Sequence, residues 1–204
     1  MASAIPRLIV FTDTTRAPVA SMLERFNALA ERAEAGRVLF TLRDYALPVR
    51  ERWALAERLA ELTERTEQSF GIAERADLAR AFGCSAFHLP QAGLRAADAR
   101  GYLGSSVLLS RGSHDPVSAV ELDLDAVLLS PIFEARKGRP ALGVAALERA
   151  CAAHPQKAWF ALGAVEASNA AACSSAGAAG VAVIGAALAA DPTPLLGALG
   201  ILRR

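Results

Sequence analysis

Eight short aliphatic runs recur along the chain, at 8–11, 38–42, 69–73, 85–89, 106–109, 126–129, 158–162 and 181–184. Each is too short for a free-standing helix and is bounded by polar residues, glycine or proline, so each reads as a strand, most of them buried on both faces. Between them lie stretches with helical spacing, over 19–35, 49–63, 77–82, 94–102, 144–153, 168–176 and 194–202. Several stop at a glycine suited to a helix C-terminus, such as Gly36, Gly83 and Gly104. The pattern is sharpest at 124–143. There the run Ala126 to Leu129 halts at Ser130-Pro131, a loop carries Arg136, Lys137 and Arg139, and Val144 opens a helix. About eight strand–helix units in 204 residues suit a single-domain (β/α)₈ TIM barrel over residues 1–204, a fold whose size range begins at about 200 residues. A doubly wound open sheet is the alternative, disfavoured by the regular count and by the lack of GxGxxG.

Composition narrows the function classes. Hydrophobic residues make up 53% of the chain, which excludes global disorder. A formal charge of +1 supplies no field for general nucleic-acid or membrane-surface binding. No apolar stretch approaches the roughly 20 residues that span a bilayer. The first residues (MASAIPRLIVF) lack a signal-peptide pattern and read as a first strand. Cys84, Cys151 and Cys173 are odd in number, widely spaced and free of any CxxC pattern, as expected of thiols in a reducing, cytoplasmic compartment.

In a barrel the residues just past each strand gather around one mouth, where ligands bind. Those residues are Asp13, Arg43, Glu74, Arg75, His88, Gln91, Arg111, His114, Lys137, Gly163, Asn169 and Gly185. Bare amides at Gly163 and Gly185, after the seventh and eighth strands, suit a phosphate, and at those two positions this reading outweighs that of ordinary turn glycines. Lys137 and Arg136 reach a phosphate or diphosphate, or are solvated loop charges. Arg43 suits a carboxylate or phosphate, or pairs with Asp13 or Asp44. His114, in the polar turn 110–114, is the acid–base candidate, because imidazole titrates near neutral pH; the competing reading is a structural role beside Asp115 and Pro116, which open a short helix. His88 reads as a satisfied core residue and His154 as a surface one. Asp13 and Glu74 are the only good acid candidates for a Mg²⁺–diphosphate site, which wants carboxylates converging at the mouth.

Several of these pieces, in this order and spacing, resemble the thiamine phosphate synthase/TenI superfamily over nearly the whole chain. They are LIVFTD at 8–13, Leu42-Arg43, AERADL at 73–78, Phe87-His88-Leu89, SPIF followed by Lys137 and Gly138, ALGAV at 161–165 with Asn169, and GVAVIGA at 180–186. The resemblance implies a (β/α)₈ barrel acting in thiamine biosynthesis. Synthases of this superfamily join a pyrimidine diphosphate to a thiazole phosphate with Mg²⁺, whereas the TenI branch is similar to a thiazole tautomerase. By the same resemblance Arg43, Lys137, Gly163, Ala164, Ile184 and Gly185 bind substrate and phosphate. Asp13, Glu74, Arg111 and Asn169 are secondary positions, and His114 falls close to the histidine of the tautomerase branch.

Departures from the synthase pattern point toward the TenI branch. Ala73-Glu74 stands where Asn-Asp is expected, Gly93 near an expected acid, and Tyr45 in place of a lysine. Glu134, Ala135 and Arg136 replace threonines, Gly163-Ala164 replaces a diglycine, and Gly185 replaces a serine. The leading expectation is therefore a TenI-like protein that binds thiazole phosphate and moves a proton through His114, with no cofactor. The alternatives are a divergent synthase, with Mg²⁺ at Glu74, and a non-catalytic phosphate-binding barrel. Small-molecule partners are expected rather than nucleic acid or membrane, and the alanine-rich segments 144–153 and 169–179 suit a homodimer.

Overall fold

A computed structural model describes residues 5–116, 120–136 and 138–203. Eight parallel strands close into a barrel in sequence order, β1 (Leu8–Phe11), β2 (Val38–Leu42), β3 (Ser69–Ala73), β4 (Ala86–Leu89), β5 (Leu108–Ser113), β6 (Ala126–Leu129), β7 (Ala158–Leu162) and β8 (Gly180–Val183). The closing register sets Leu8 against Val181 and Val10 against Val183, so no strand edge is left open.

The period of two along each strand separates two cores. Ile9, Phe11, Leu39, Ala86, Leu108, Leu128, Phe160 and Ala182 point inward and fill the barrel. Alternate residues such as Leu8, Val10, Phe40, Leu109 and Val127 point outward, against the helices. Those helices are α1 (Val19–Arg32), α2 (Val49–Arg65), α3 (Ala76–Ala81), α4 (Ala96–Leu103), α5 (Val144–Ala153), α6 (Ala170–Ser175) and α7 (Thr193–Ala198). In α1 the buried residues Met22, Leu23, Phe26, Leu29 and Ala30 form one stripe at helical spacing. Small residues let the strands close. A β-carbon at Gly180 would stand 2.2 Å from the Arg7 carbonyl oxygen and 2.9 Å from the Phe160 ring, so that position admits only hydrogen.

The expected barrel is therefore the observed one, with boundaries that differ locally. The fifth strand runs on through Ser110, Arg111 and Gly112 to Ser113, where a polar turn is expected from sequence. Pairing with β6 continues to Ser113–Leu129, so the ladder overrides polarity, with Ser110 and Gly112 on the inward face. The last helix is shorter than the span 194–202, and a 3₁₀ turn over Gly185–Leu188 precedes it. The short helix expected after Asp115 falls on 117–119, outside the described residues.

Candidate functional site

Because all eight strands are parallel, their C-terminal ends share one end of the barrel, and the side chains there form linked groups. On the β1 and β2 side, the Asp13 carboxylate accepts from the Thr15 amide and hydroxyl and from Arg16 Nε at 3.2 Å. Arg43 Nη2 lies 4.0 Å from the same carboxylate, and the guanidinium stands 5.3 Å from the centre of the Phe11 ring, a cation–π distance. The Arg43 amide donates to the Thr12 hydroxyl at 2.9 Å, which sets the strand exit. Burial works to raise the Asp13 pKa, but the Thr15 hydroxyl and amide, then Arg43 and Arg16, outweigh it and leave it lowered. Asp13 is thus an anion that organises two arginines.

Deeper in the mouth, His88 packs edge-on to Phe11 at 5.1 Å, and its Nδ1 lies 2.9 Å from the Ser110 hydroxyl. Burial, with added repulsion from Arg43 and Arg111, pushes its pKa down to about 3. The ring is held neutral, though the residue is half-buried at the mouth rather than enclosed in the core.

His114 follows β5 directly. Its Nδ1 lies 2.7 Å from the Ser130 carbonyl oxygen and 3.2 Å from the Ser130 hydroxyl. A carbonyl only accepts, so Nδ1 carries a hydrogen and Nε2 is the ring nitrogen left outside this contact. A cleft of about 270 Å³ opens beside it, lined among others by Gln91, Gly112, His114 and Glu121. Gly163 and Gly185 do not line that cleft.

The β6 and β7 exits are interlocked. The Ile132 amide donates to the Leu162 carbonyl at 3.0 Å and the Phe133 amide to that of Gly163 at 3.1 Å. Gly163 has φ +107°, and a β-carbon there would stand 2.9 Å from Pro131 Cα. Both conformation and space therefore demand glycine. Ala164 follows with φ +52°, an uncommon left-handed conformation for a residue with a side chain. Ile184 packs against the barrel interior, and Gly185 is exposed next to it at the β8 exit.

Three expected positions take other roles. Arg111 alternates onto the outer face of β5, where its guanidinium pairs with Glu121 and the Leu94 carbonyl and lines the cleft beside His114 rather than the barrel interior. Asn169 is spent within its own loop, donating to the Ala164 carbonyl at 3.0 Å and accepting from the Glu166 amide at 2.9 Å. Glu74, at φ +70°, turns its carboxylate toward Arg52, 3.6 Å away. Lys137, the cation expected opposite the glycines, lies outside the described residues.

Mg²⁺ is usually held by one or two carboxylates together with substrate phosphates. Asp13 and Glu74 do not fit that use here, since each faces guanidinium groups already. Among the described residues no group of three or more His, Cys, Asp or Glu could hold an ion. No described helix is long and apolar enough to cross a membrane.

Sequence reasoning missed Arg16, Ser130 and Arg52. Arg52 carried a visible signal, a cation inside an amphipathic helix at a position that turns out to be 4% exposed. Ser130 acquires its role from the neighbouring β5 exit, and Arg16, besides its local link to Asp13, from the β8 exit.

Comparison with known proteins places these features in context. Residues 8–187 match the family model described as thiamine monophosphate synthase. A thiamine-phosphate synthase of Thermobifida fusca is 32% identical over 170 residues, 80% of this chain and 76% of the relative. One of Mycolicibacterium paratuberculosis is 34% identical over 182 residues, 80% of this chain and 78% of the relative. Among solved structures, a thiamine phosphate pyrophosphorylase from Pyrococcus furiosus superposes with a TM-score of 0.79 at 21% identity, covering 95% of both chains, a likeness of fold.

Proposed function

Because the chain belongs to the thiamine monophosphate synthase (TMP-TenI) family, we propose that it acts in thiamine biosynthesis by binding a thiazole phosphate at the barrel mouth and interconverting thiazole tautomers. The observation that carries this reading is the His114–Ser130 contact. Nδ1 donates to a backbone carbonyl 2.7 Å away. The ring is thereby fixed, and Nε2 is the basic nitrogen. Nε2 takes a proton from the thiazole ring, and the imidazolium returns it at a second position of the same molecule. The isomerisation is balanced and needs no co-reactant. Positioned general acid–base catalysis of this kind contributes about 10²–10⁴ in rate.

Phosphate binding falls to backbone amides at Gly163, Ala164, Ile184 and Gly185, with Arg43 meeting the ligand's negative charge from the β2 exit, next but one to β8 around the barrel. What supports this is the pair of glycines after β7 and β8, of which Gly163 is held in a conformation that side chains avoid. The assay is direct: incubate the protein with a thiazole phosphate carboxylate tautomer in deuterated water and follow ring-proton exchange by NMR. Exchange well above the buffer rate is the expected result, and no acceleration refutes the tautomerase reading.

A second reading is a divergent thiamine phosphate synthase, favoured by the curated relatives, which carry that name at 32% and 34% identity. Under it Arg43 steadies the departing diphosphate by electrostatic stabilisation. Formation of thiamine phosphate from the thiazole phosphate and the pyrimidine diphosphate, assayed with Mg²⁺ added, establishes this reading in place of the first.

A further inference from the structure

The loop after β1 sends one side chain toward the far end of the closing strand pair. The Arg16 amide donates to the Asp13 carbonyl at 3.0 Å, closing a turn, and Arg16 Nε donates to the Asp13 carboxylate at 3.2 Å. This tether aims the guanidinium across to β8. Its Nη1 comes within 3.1 Å of the point that a β-carbon at position 185 would occupy. Glycine at that position is what lets the guanidinium approach the backbone of the β8 exit. Asp13 is itself held as a carboxylate by Thr15, so the tether is charged at both ends.

One edge of the guanidinium is therefore spent, and the other is not. Among the described residues Nη1 and Nη2 make no hydrogen bond, and the side chain is 40% exposed. A planar fork with Nε tethered and two nitrogens without hydrogen bonds among the described residues matches the geometry of a phosphate group, which accepts two parallel N–H bonds.

We propose that Arg16 is the side-chain cation of the phosphate subsite, its Nη1 and Nη2 binding two phosphate oxygens over Gly185 while Asp13 holds its Nε. This rests on the thiazole phosphate reading of the mouth. It makes Asp13 a positioning residue for a cation, and it supplies a charged donor at the β8 exit, where the chain itself offers only backbone.

The test uses the full chain and calorimetric titration with 4-methyl-5-hydroxyethylthiazole phosphate and with the corresponding alcohol. Arg16→Ala weakens phosphate-ester binding by about tenfold to a hundredfold, the range expected on losing hydrogen bonds to a charged group. Binding of the alcohol is unchanged, and Arg16→Lys is intermediate because it keeps charge without the fork. Gly185→Ala, whose β-carbon crowds Nη1, weakens the wild type but adds less in the Arg16→Ala background, and a shared phosphate subsite shows this coupling for the phosphate ester and not for the alcohol. Melting temperature checks that each variant is folded. Wild-type affinity in Arg16→Ala overturns this inference and leaves the thiazole phosphate reading standing. Equal losses for ester and alcohol overturn the phosphate assignment. A wild type that binds no thiazole phosphate overturns both.

Discussion

His114 Nδ1 lies 2.7 Å from the Ser130 carbonyl oxygen, so the first residue past β5 is anchored to the first residue past β6. Two neighbouring strand ends thereby fix one imidazole. The contact occupies one ring nitrogen and leaves the other outside it, an arrangement that suits the proton transfer proposed above.

His114→Ala removes that base while leaving the amides around Gly163 and Gly185 in place. Ring-proton exchange falls by about 10²–10⁴, with affinity for thiazole phosphate unchanged. Exchange by NMR and affinity by calorimetry separate the two effects. Undiminished exchange contradicts the assigned role.

His88 makes stability depend on pH. Its folded pKa is about 3, lowered first by burial and then by Arg43 and Arg111, against about 6.5 for an unfolded histidine. Between those values only the unfolded chain takes up this proton. The contribution is therefore complete above about pH 6.5 and is lost progressively as pH falls toward 3. Urea midpoints at pH 7 and pH 5, a window above most carboxylate titration, drop for the wild type. In His88→Gln the drop is smaller. Equal drops contradict a neutral, half-buried imidazole.

Gly163→Ala meets two obstacles at once, φ +107° and a β-carbon 2.9 Å from Pro131 Cα, a backbone atom that cannot rotate aside. A loss of about 1–3 kcal/mol follows, read as a lower melting temperature. Thiazole phosphate binding weakens with it, since the loop that displays the amides must shift. An unchanged melting temperature contradicts the geometry.

Arg52 is buried at 4% exposure and donates from Nη2 to the Ala73 carbonyl at 2.7 Å, while its Nε has no partner. Arg52→Met keeps the apolar stem but removes one of the two donors to that carbonyl, which keeps the Arg75 amide at 2.8 Å. Losing this hydrogen bond from a charged group costs about 1.5–3 kcal/mol. Denaturant unfolding gives the value. A variant as stable as the wild type shows that the guanidinium adds nothing beyond its packing.

Repetition made the barrel legible. Each apolar run names a strand by its length and its stops, and eight of them leave few ways to bury both faces. The fifth strand resisted because Ser110, Arg111 and Gly112 look like a turn until β6 is known to pair with them. Positions at the mouth were legible where they follow a strand directly, as Arg43 and His114 do. Side-chain direction was not, since Arg111 and Ser110 are adjacent and face opposite sides once β5 is extended. Arg16 shows the limit most clearly. Its link to Asp13 is local, but its approach to Gly185 exists only because β1, the first strand of the chain, pairs with β8, the last.

The central claim is that the converging strand ends bind a phosphorylated thiazole. Calorimetric titration of the wild-type chain with thiazole phosphate tests it most directly, repeated with the pyrimidine diphosphate and Mg²⁺ present. Saturable binding at one site per chain, weaker for the unphosphorylated alcohol and independent of the added pyrimidine and metal, is the predicted result. A folded protein that gives no heat and no saturation under either condition contradicts it.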